Sequence, residues 1–185
     1  MSAEKKLGLV LKSTGSWYLL EEKISKETFQ ARIKGVFRIK NIKNTNPIAV
    51  GDWVDFVLDK DGIAVIHHIH PRENYIIRKS VNLSKRTHII ASNIDLAFLI
   101  VTVKNPKIPL GFIDRFLVTT KAYGIQTLIV FNKVDMHDEP AKLLQQEMIE
   151  IYQKVGYTCL ETSATENIGI EVLKEAKPRL FPMEC

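Results

Sequence analysis

Four consecutive residues, Asn132-Lys133-Val134-Asp135, offer an amide, an ammonium on a long apolar stem and a carboxylate within a single turn. They follow directly on Thr127 to Phe131, a run that predicts a buried strand. The carboxyl end of a parallel strand is where open α/β sheets bind ligands. There the Asp135 carboxylate can accept two neighbouring N–H donors, the pair that guanine presents at N1 and its exocyclic amine. Adenine has no such pair. A carboxylate left unpaired costs about 1–3 kcal/mol or more, so the arrangement discriminates between purines. Asn132 would tether neighbouring loops and meet the N7 edge, and the stem of Lys133 would lie over the base plane. Further along, Thr162-Ser163-Ala164 closes a second predicted strand, Tyr157 to Glu161, and offers a backbone N–H to the O6 acceptor. Asn132, Lys133, Asp135, Ser163 and Ala164 are therefore the candidate base-binding residues.

This is the Asn-Lys-x-Asp and Ser-Ala combination of GTP-binding proteins, and GTP or GDP is the expected ligand. The phosphate machinery does not accompany it. A GxxxxGK[ST] loop cradles phosphates with backbone N–H groups, and the sequence has no Gly-Lys dipeptide. Asp59-Lys60-Asp61-Gly62 matches an Asp-x-x-Gly switch, but its place between two predicted strands makes it a hairpin turn. No catalytic residue is assigned. No metal ligand is assigned either: Cys159 and Cys185 form no CxxC, and strand alternation splits His67, His68 and His70 between faces.

Two sets of elements must position these groups. Residues 1–70 read as five short strands, Leu7–Leu11, Ser16–Glu21, Phe29–Lys34, Asp52–Leu58 and Ile63–Ile69, with an exposed loop at Asn41 to Pro47. Such a run suggests a small barrel. After a linker at 71–88, residues 89–185 alternate strand and helix, as in a parallel sheet. The helix from Phe112 to Tyr123 is expected to face inward with Phe112, Phe116, Leu117 and Ala122 or Tyr123. The helix from Pro140 to Val155 is expected to do so with Leu143, Leu144, Met148, Ile151, Tyr152 and Val155.

The 185 residues are 45% hydrophobic and 25% charged, an ordinary globular composition. The longest apolar stretch, Leu96 to Val103, is too short for a membrane span, and no signal peptide is recognisable, so the cytoplasm is expected. The formal net charge is +5, all of it in the first part: residues 1–80 hold 14 basic and 9 acidic residues, and residues 81–185 hold 12 of each. From Thr28 to Gly51 no acidic residue occurs, while Arg32, Lys34, Arg38, Lys40 and Lys43 supply positive charge. Barrels of the OB type bind nucleic acid through a basic groove with aromatic stacking. Trp17 or Tyr18 is the candidate platform, since alternation sends one of them outward. Arg72, Arg78 and Lys79 would extend the basic surface.

Asn46-Pro47-Ile48-Ala49-Val50-Gly51-Asp52-Trp53-Val54, Pro71 to Ser80, Ala91-Ser92-Asn93-Ile94-Asp95 and Phe112-Ile113-Asp114-Arg115-Phe116-Leu117, taken with the two base-reading motifs, resemble one family. It is the ribosome small-subunit-dependent GTPase family (RsgA, also called YjeQ or EngC). The resemblance implies an all-β OB-fold barrel followed by an incomplete α/β, circularly permuted P-loop GTPase domain, in which the base-reading motifs precede the phosphate loop and switches. It also implies a GTPase that assists late maturation of the small (30S) ribosomal subunit, with that subunit and its rRNA as partners and magnesium accompanying the nucleotide. The family's zinc belongs to a C-terminal domain not found in these residues. The phosphate loop would begin near Cys185, so this chain alone is expected to be a monomer without GTP hydrolysis. The alternative is a non-catalytic RNA- or ribosome-binding module with a vestigial guanine pocket, or a fragment that competes for the ribosome.

Overall fold

The structure is a computed structural model and describes residues 4–33, 47–79 and 87–176, with the backbone alone at 78, 79, 87 and 88. It divides into two units, residues 1–94 and 95–185.

In the first unit, β1 (Lys6–Thr14), β2 (Trp17–Glu22), β3 (Thr28–Ile33), β4 (Trp53–Leu58) and β5 (Ala64–Ile69) close into a barrel in the order β1-β2-β3-β5-β4. Antiparallel pairing of β1 with β4, from Lys6↔Phe56 to Leu9↔Trp53, completes the ring and leaves no free edge. Alternation decides what fills it: Val10, Tyr18, Leu20, Ala31, Val54, Phe56, Ala64 and Ile66 point inward and pack with Ile48. Tyr18 is 2% exposed and its neighbour Trp17 is 45% exposed. This corrects the assignment of Tyr18 as a stacking platform, because its ring is core and no base can reach it. The Asp59 turn joins β4 to β5, with Asp59 Oδ1 accepting from the N–H groups of Asp61 (3.0 Å) and Ile63 (2.9 Å).

The described residues of the expected linker, 71–79 and 87–88, are not a plain connection. Within and beyond them β6 (Tyr75–Lys79) and β7 (Thr87–Ser92) pair antiparallel, with a bulge between Ile76 and Ile77, and belong to the first unit. The segment is anchored on Asp52, which is fully buried. Arg72 donates from Nε to Asp52 Oδ1 (2.6 Å) and from Nη2 to Asp52 Oδ2 (2.7 Å) and the Pro47 carbonyl (3.1 Å). Ser92 Oγ donates to the same carboxylate at 2.6 Å, and the Ala49 N–H does so at 2.8 Å. Gly51 has φ +90°, and a Cβ there would collide with the Ser92 carbonyl oxygen. Only glycine permits so close a crossing in that conformation.

The second unit runs β8 (Leu96–Val101), α1 (Leu110–Ala122), β9 (Gln126–Asn132), α2 (Glu139–Lys154), β10 (Thr158–Thr162) and α3 (Ile170–Glu175). The three strands are parallel in the order β10-β9-β8. Leu99, Val101, Ile129 and Phe131 pack with Ile113 and Leu117 of α1 and with Ala141, Met148, Ile149 and Tyr152 of α2. Each helix buries part of its expected face, with Leu117, Met148 and Tyr152 in the core and Phe116 and Leu144 packed against it, but the rest of each face differs. On α1 the buried residues are Ile113, Leu117 and Thr120, and Phe112 is exposed. On α2 they are Ala141, Gln145, Met148, Ile149 and Tyr152, while Leu143, Ile151 and Val155 are exposed. Apolar residues occupy more than one side of each helix, and the small or slender side chains Ala141 and Thr120 let the helices approach the sheet. Tyr152 Oη donates to Asp114 Oδ1 at 3.0 Å, which ties α2 to α1. Asp138 caps α2 by accepting from the Ala141 N–H at 3.2 Å, and Pro140 occupies its first turn. Among the described residues no helix is long and apolar enough to cross a membrane.

Candidate functional site

The two base-reading motifs lie side by side because β9 and β10 are adjacent and in register, with Asn132 opposite Thr162. The Thr162 hydroxyl donates to Asn132 Oδ1 at 3.1 Å and holds the end of one strand to the end of the other. At Lys133 the backbone turns left-handed, φ 69°, and leads into a 3₁₀ turn, Val134–Met136, which carries Asp135. Lys133 Nζ donates to the Asn105 carbonyl at 2.6 Å, so the loop after β8 braces this side chain.

Asp135 is exposed. The Ser163 hydroxyl, then the backbone N–H of Asp135 itself and the Thr165 hydroxyl at 3.4 Å, hold its carboxyl below the usual aspartate range against the opposing effect of desolvation. Its charged, acceptor-only form is the one that two N–H donors require. Ser163 itself is buried. Its hydroxyl lies 3.1 Å from Thr165 Oγ1 and accepts from the Glu166 N–H at 3.1 Å. Its backbone exchanges two 3.0 Å bonds with Ile168, so Ser163 builds the turn while Ala164 beside it is exposed. Gly169 closes the loop at φ +69°, where a Cβ would meet the Glu161 carbonyl oxygen.

The structure thus brings Asn132, Lys133, Asp135, Ser163 and Ala164 to one end of the sheet. Three contributors escaped the sequence reading: Thr162 and Thr165, which flank the Ser-Ala pair, and the Asn105 carbonyl. The two threonines stand next to a recognisable motif and could have been suspected. A main-chain acceptor from a distant loop leaves no trace in residue types.

The candidate RNA-binding residues are scattered. Trp17 is exposed on β2. Arg32 is exposed on β3 but donates to Asp59 Oδ2 at 3.0 Å. Arg72 is corrected from RNA contact to architecture, since its Nε and Nη2 are committed to Asp52 and Pro47. Arg78 and Lys79 lie on β6, where the backbone alone is described. Lys34, Arg38, Lys40 and Lys43, and most of the loop expected at Asn41 to Pro47, lie outside the described residues. His70 Nε2 sits 2.9 Å from Asp55 Oδ1, with His68 edge-on to it. Among the described residues no group of three or more His, Cys, Asp or Glu is arranged to hold a metal. Burial pushes the Cys159 thiol up to about 11, which leaves it protonated.

Comparison with known proteins gives a consistent result. Residues 7–66 match the model of the RsgA N-terminal domain and residues 69–179 that of the RsgA GTPase. The chain is 55% identical over 171 residues to the small ribosomal subunit biogenesis GTPase RsgA of Flavobacterium johnsoniae, covering 91% of this chain and 52% of that protein. It is 45% identical over 168 residues to the protein of the same name from Phocaeicola vulgatus, covering 91% and 54%. Among solved structures it is similar to YjeQ from Thermotoga maritima, with TM-score 0.74, 32% identity and coverage of 93% and 56%. It is also similar to YloQ, a circularly permuted GTPase, with TM-score 0.67, 25% identity and coverage of 92% and 55%. The chain spans about half the length of the curated relatives it matches.

Proposed function

The chain belongs to the RsgA GTPase family, and from that premise we propose that it is the RNA-binding and guanine-reading part of a cytoplasmic GTPase that assists maturation of the small ribosomal subunit. The observation that carries the nucleotide half of this reading is Asp135, exposed, ionised and set beside the Ser163-Ala164 turn on the adjacent strand. Guanine would give N1–H and its exocyclic amine to that carboxylate. Ser163 and Thr165 would keep the carboxylate charged, and the Lys133 stem, braced on Asn105, would cover one face of the ring. Asn132, held by Thr162, would stay in place without the ligand, which lowers the ordering cost of binding.

These residues fit a guanine base. They supply no group for the phosphates or for magnesium, so turnover is proposed of the whole protein and not of these residues. The small subunit's rRNA is the proposed partner of the barrel, on the strength of its exposed Trp17 and of the basic run from Arg32 to Lys43.

The test is Asp135→Asn in the complete protein. Exchanging an acceptor for a donor should transfer preference from guanine to xanthine nucleotides, with at least a tenfold loss of GDP affinity by calorimetry, about 1.4 kcal/mol. Guanine selectivity that survives the substitution removes Asp135 from the site.

A further inference from the structure

The parallel sheet of the second unit has two terminal strands, β10 and β8, and they are not alike. β10 reads Thr-Cys-Leu-Glu-Thr and carries an exposed carboxylate at Glu161. β8 reads Leu-Ala-Phe-Leu-Ile-Val, apolar throughout. Charged side chains and prolines are devices that blunt a sheet edge against pairing with another chain. β8 carries neither, and among the described residues no strand lies along its outer edge.

Apolar surface continues above and below that edge. Leu99 and Val101 turn into the core beneath α1 and α2, so alternation puts Leu96, Phe98 and Ile100 on the opposite face. Phe98 and Ile100 are 43% and 57% exposed there. On the helix side, α1 packs over β8 and β9, and α2 over β10. Asp114 marks the flank of α1 that faces α2, because it accepts from Tyr152 Oη. Phe112 stands two residues earlier, about 200° around the helix, and is exposed on the flank turned away from α2, toward the free edge. The edge is thus bordered by exposed apolar groups on both faces, a slot for a strand that is itself apolar on both faces.

We propose that a second copy of this chain fills the slot, by antiparallel pairing of β8 with β8 about a two-fold axis perpendicular to the sheet. Of the terminal strands β6, β7, β8 and β10, β8 alone has no polar side chain, so the strand that fits this edge is β8 itself. With Leu99 opposite Leu99, Phe98 meets Ile100 of the second copy on the open face, and Ala97 meets Val101 on the helix face, each pair formed twice by symmetry. Backbone hydrogen bonds set the register, and removal of Phe98, Ile100 and Phe112 from water supplies the drive. Both β8 edges are consumed in the pairing and Glu161 guards β10, so the assembly closes as a dimer. The inference is independent of the guanine and RNA readings, since none of the residues they name lies on β8.

Analytical ultracentrifugation of the 185-residue chain over a concentration series should show a monomer–dimer equilibrium and no larger species. Ile100→Lys puts a charge on the edge at an exposed position and should weaken dimerisation about tenfold. Val118→Lys, also exposed on α1 but four residues from Asp114 and on its flank, should leave dimerisation unchanged. A second measurement needs no substitution: in a mixture of isotope-labelled and unlabelled chains, nuclear Overhauser contacts are expected between the Ile100 methyl groups of one copy and the Phe98 ring of the other. A chain that stays monomeric at every concentration overturns the proposal, as does an Ile100→Lys variant that pairs as tightly as the parent. A dimer whose intermolecular contacts fall on the barrel, or growth into larger assemblies, overturns it as well.

Discussion

Asp52 in the first unit and Asp135 in the second are both aspartates at the heart of a motif, and they do opposite work. Asp52 is fully buried and its two oxygens are fully subscribed, by Arg72, Ser92 and the Ala49 N–H. Asp135 is exposed, and its partners are two hydroxyls that leave acceptor capacity free. A carboxylate with every lone pair answered from inside the fold is architecture. One held ionised but left open keeps the capacity to accept from donors that arrive from outside, which is the role proposed for Asp135. Motif status alone does not separate them; hydrogen-bond satisfaction does.

The contrast can be broken most severely at Arg72. Arg72→Leu strands a buried charge and should cost about 3–5 kcal/mol of stability in urea unfolding. Asp135→Asn should leave stability within about 0.5 kcal/mol of the parent while redirecting nucleotide preference. If the Arg72 variant were as stable as the parent, the two aspartates would not differ as described.

Trp17 and Tyr18 repeat the comparison at smaller scale on a single strand. Trp17→Ala should remove about 1–3 kcal/mol of affinity for single-stranded RNA, read by fluorescence anisotropy, with little change in melting temperature. Tyr18→Ala should reverse that pattern, with stability falling by about 3–5 kcal/mol as the barrel core opens. An unchanged RNA affinity in the Trp17 variant removes the barrel's exposed aromatic from the interface.

Glu22 sharpens the contrast through pH. It is buried, accepts from the N–H groups of Ile24 and Ser25, and has its carboxyl lowered from 4.5 to about 2, chiefly by Ser25. The folded value lies below the unfolded one, so its contribution is present above about pH 4.5 and is lost as pH falls toward 2. Glu22→Gln should flatten the stability profile across that interval, and an unaltered acid limb would show that the turn does not depend on the charge. The smallest effect is expected at Asp135. Thr165→Val should raise the Asp135 carboxyl toward the ordinary aspartate range, followed by carbon-detected NMR titration, because the stronger Ser163 contact remains. A value identical to the parent's would leave Ser163 as the sole hydroxyl partner.

The barrel strands and the βαβ alternation were readable because periods of 2 and of roughly 3.6 are properties of residue order. The five barrel strands lie within a few residues of their expected bounds. The linker was misread because β6 and β7 gain their meaning from each other and from Asp52, through contacts such as Ser92 to Val50 across 42 positions. The helix faces were misread in part for a related reason. Apolar residues such as Leu143 and Ile151 sit on α2 outside the buried stripe, and only the approach of the sheet selects Ala141, Gln145 and Ile149 instead.

Residue types and order by themselves determined that a strand ends in Asn-Lys-x-Asp and another in Ser-Ala, and that charge is concentrated in the barrel half. Those statements are local, and covalent order suffices for them. Tertiary structure alone decided that Thr162 clasps Asn132, that Asn105 braces Lys133, that Arg72 is lost to the surface, and that the ring nitrogens of His137 and Oε1 of Gln145 are buried without a hydrogen-bond partner. Each of these depends on which donor meets which acceptor across the fold, and that is settled by packing between segments far apart in the chain.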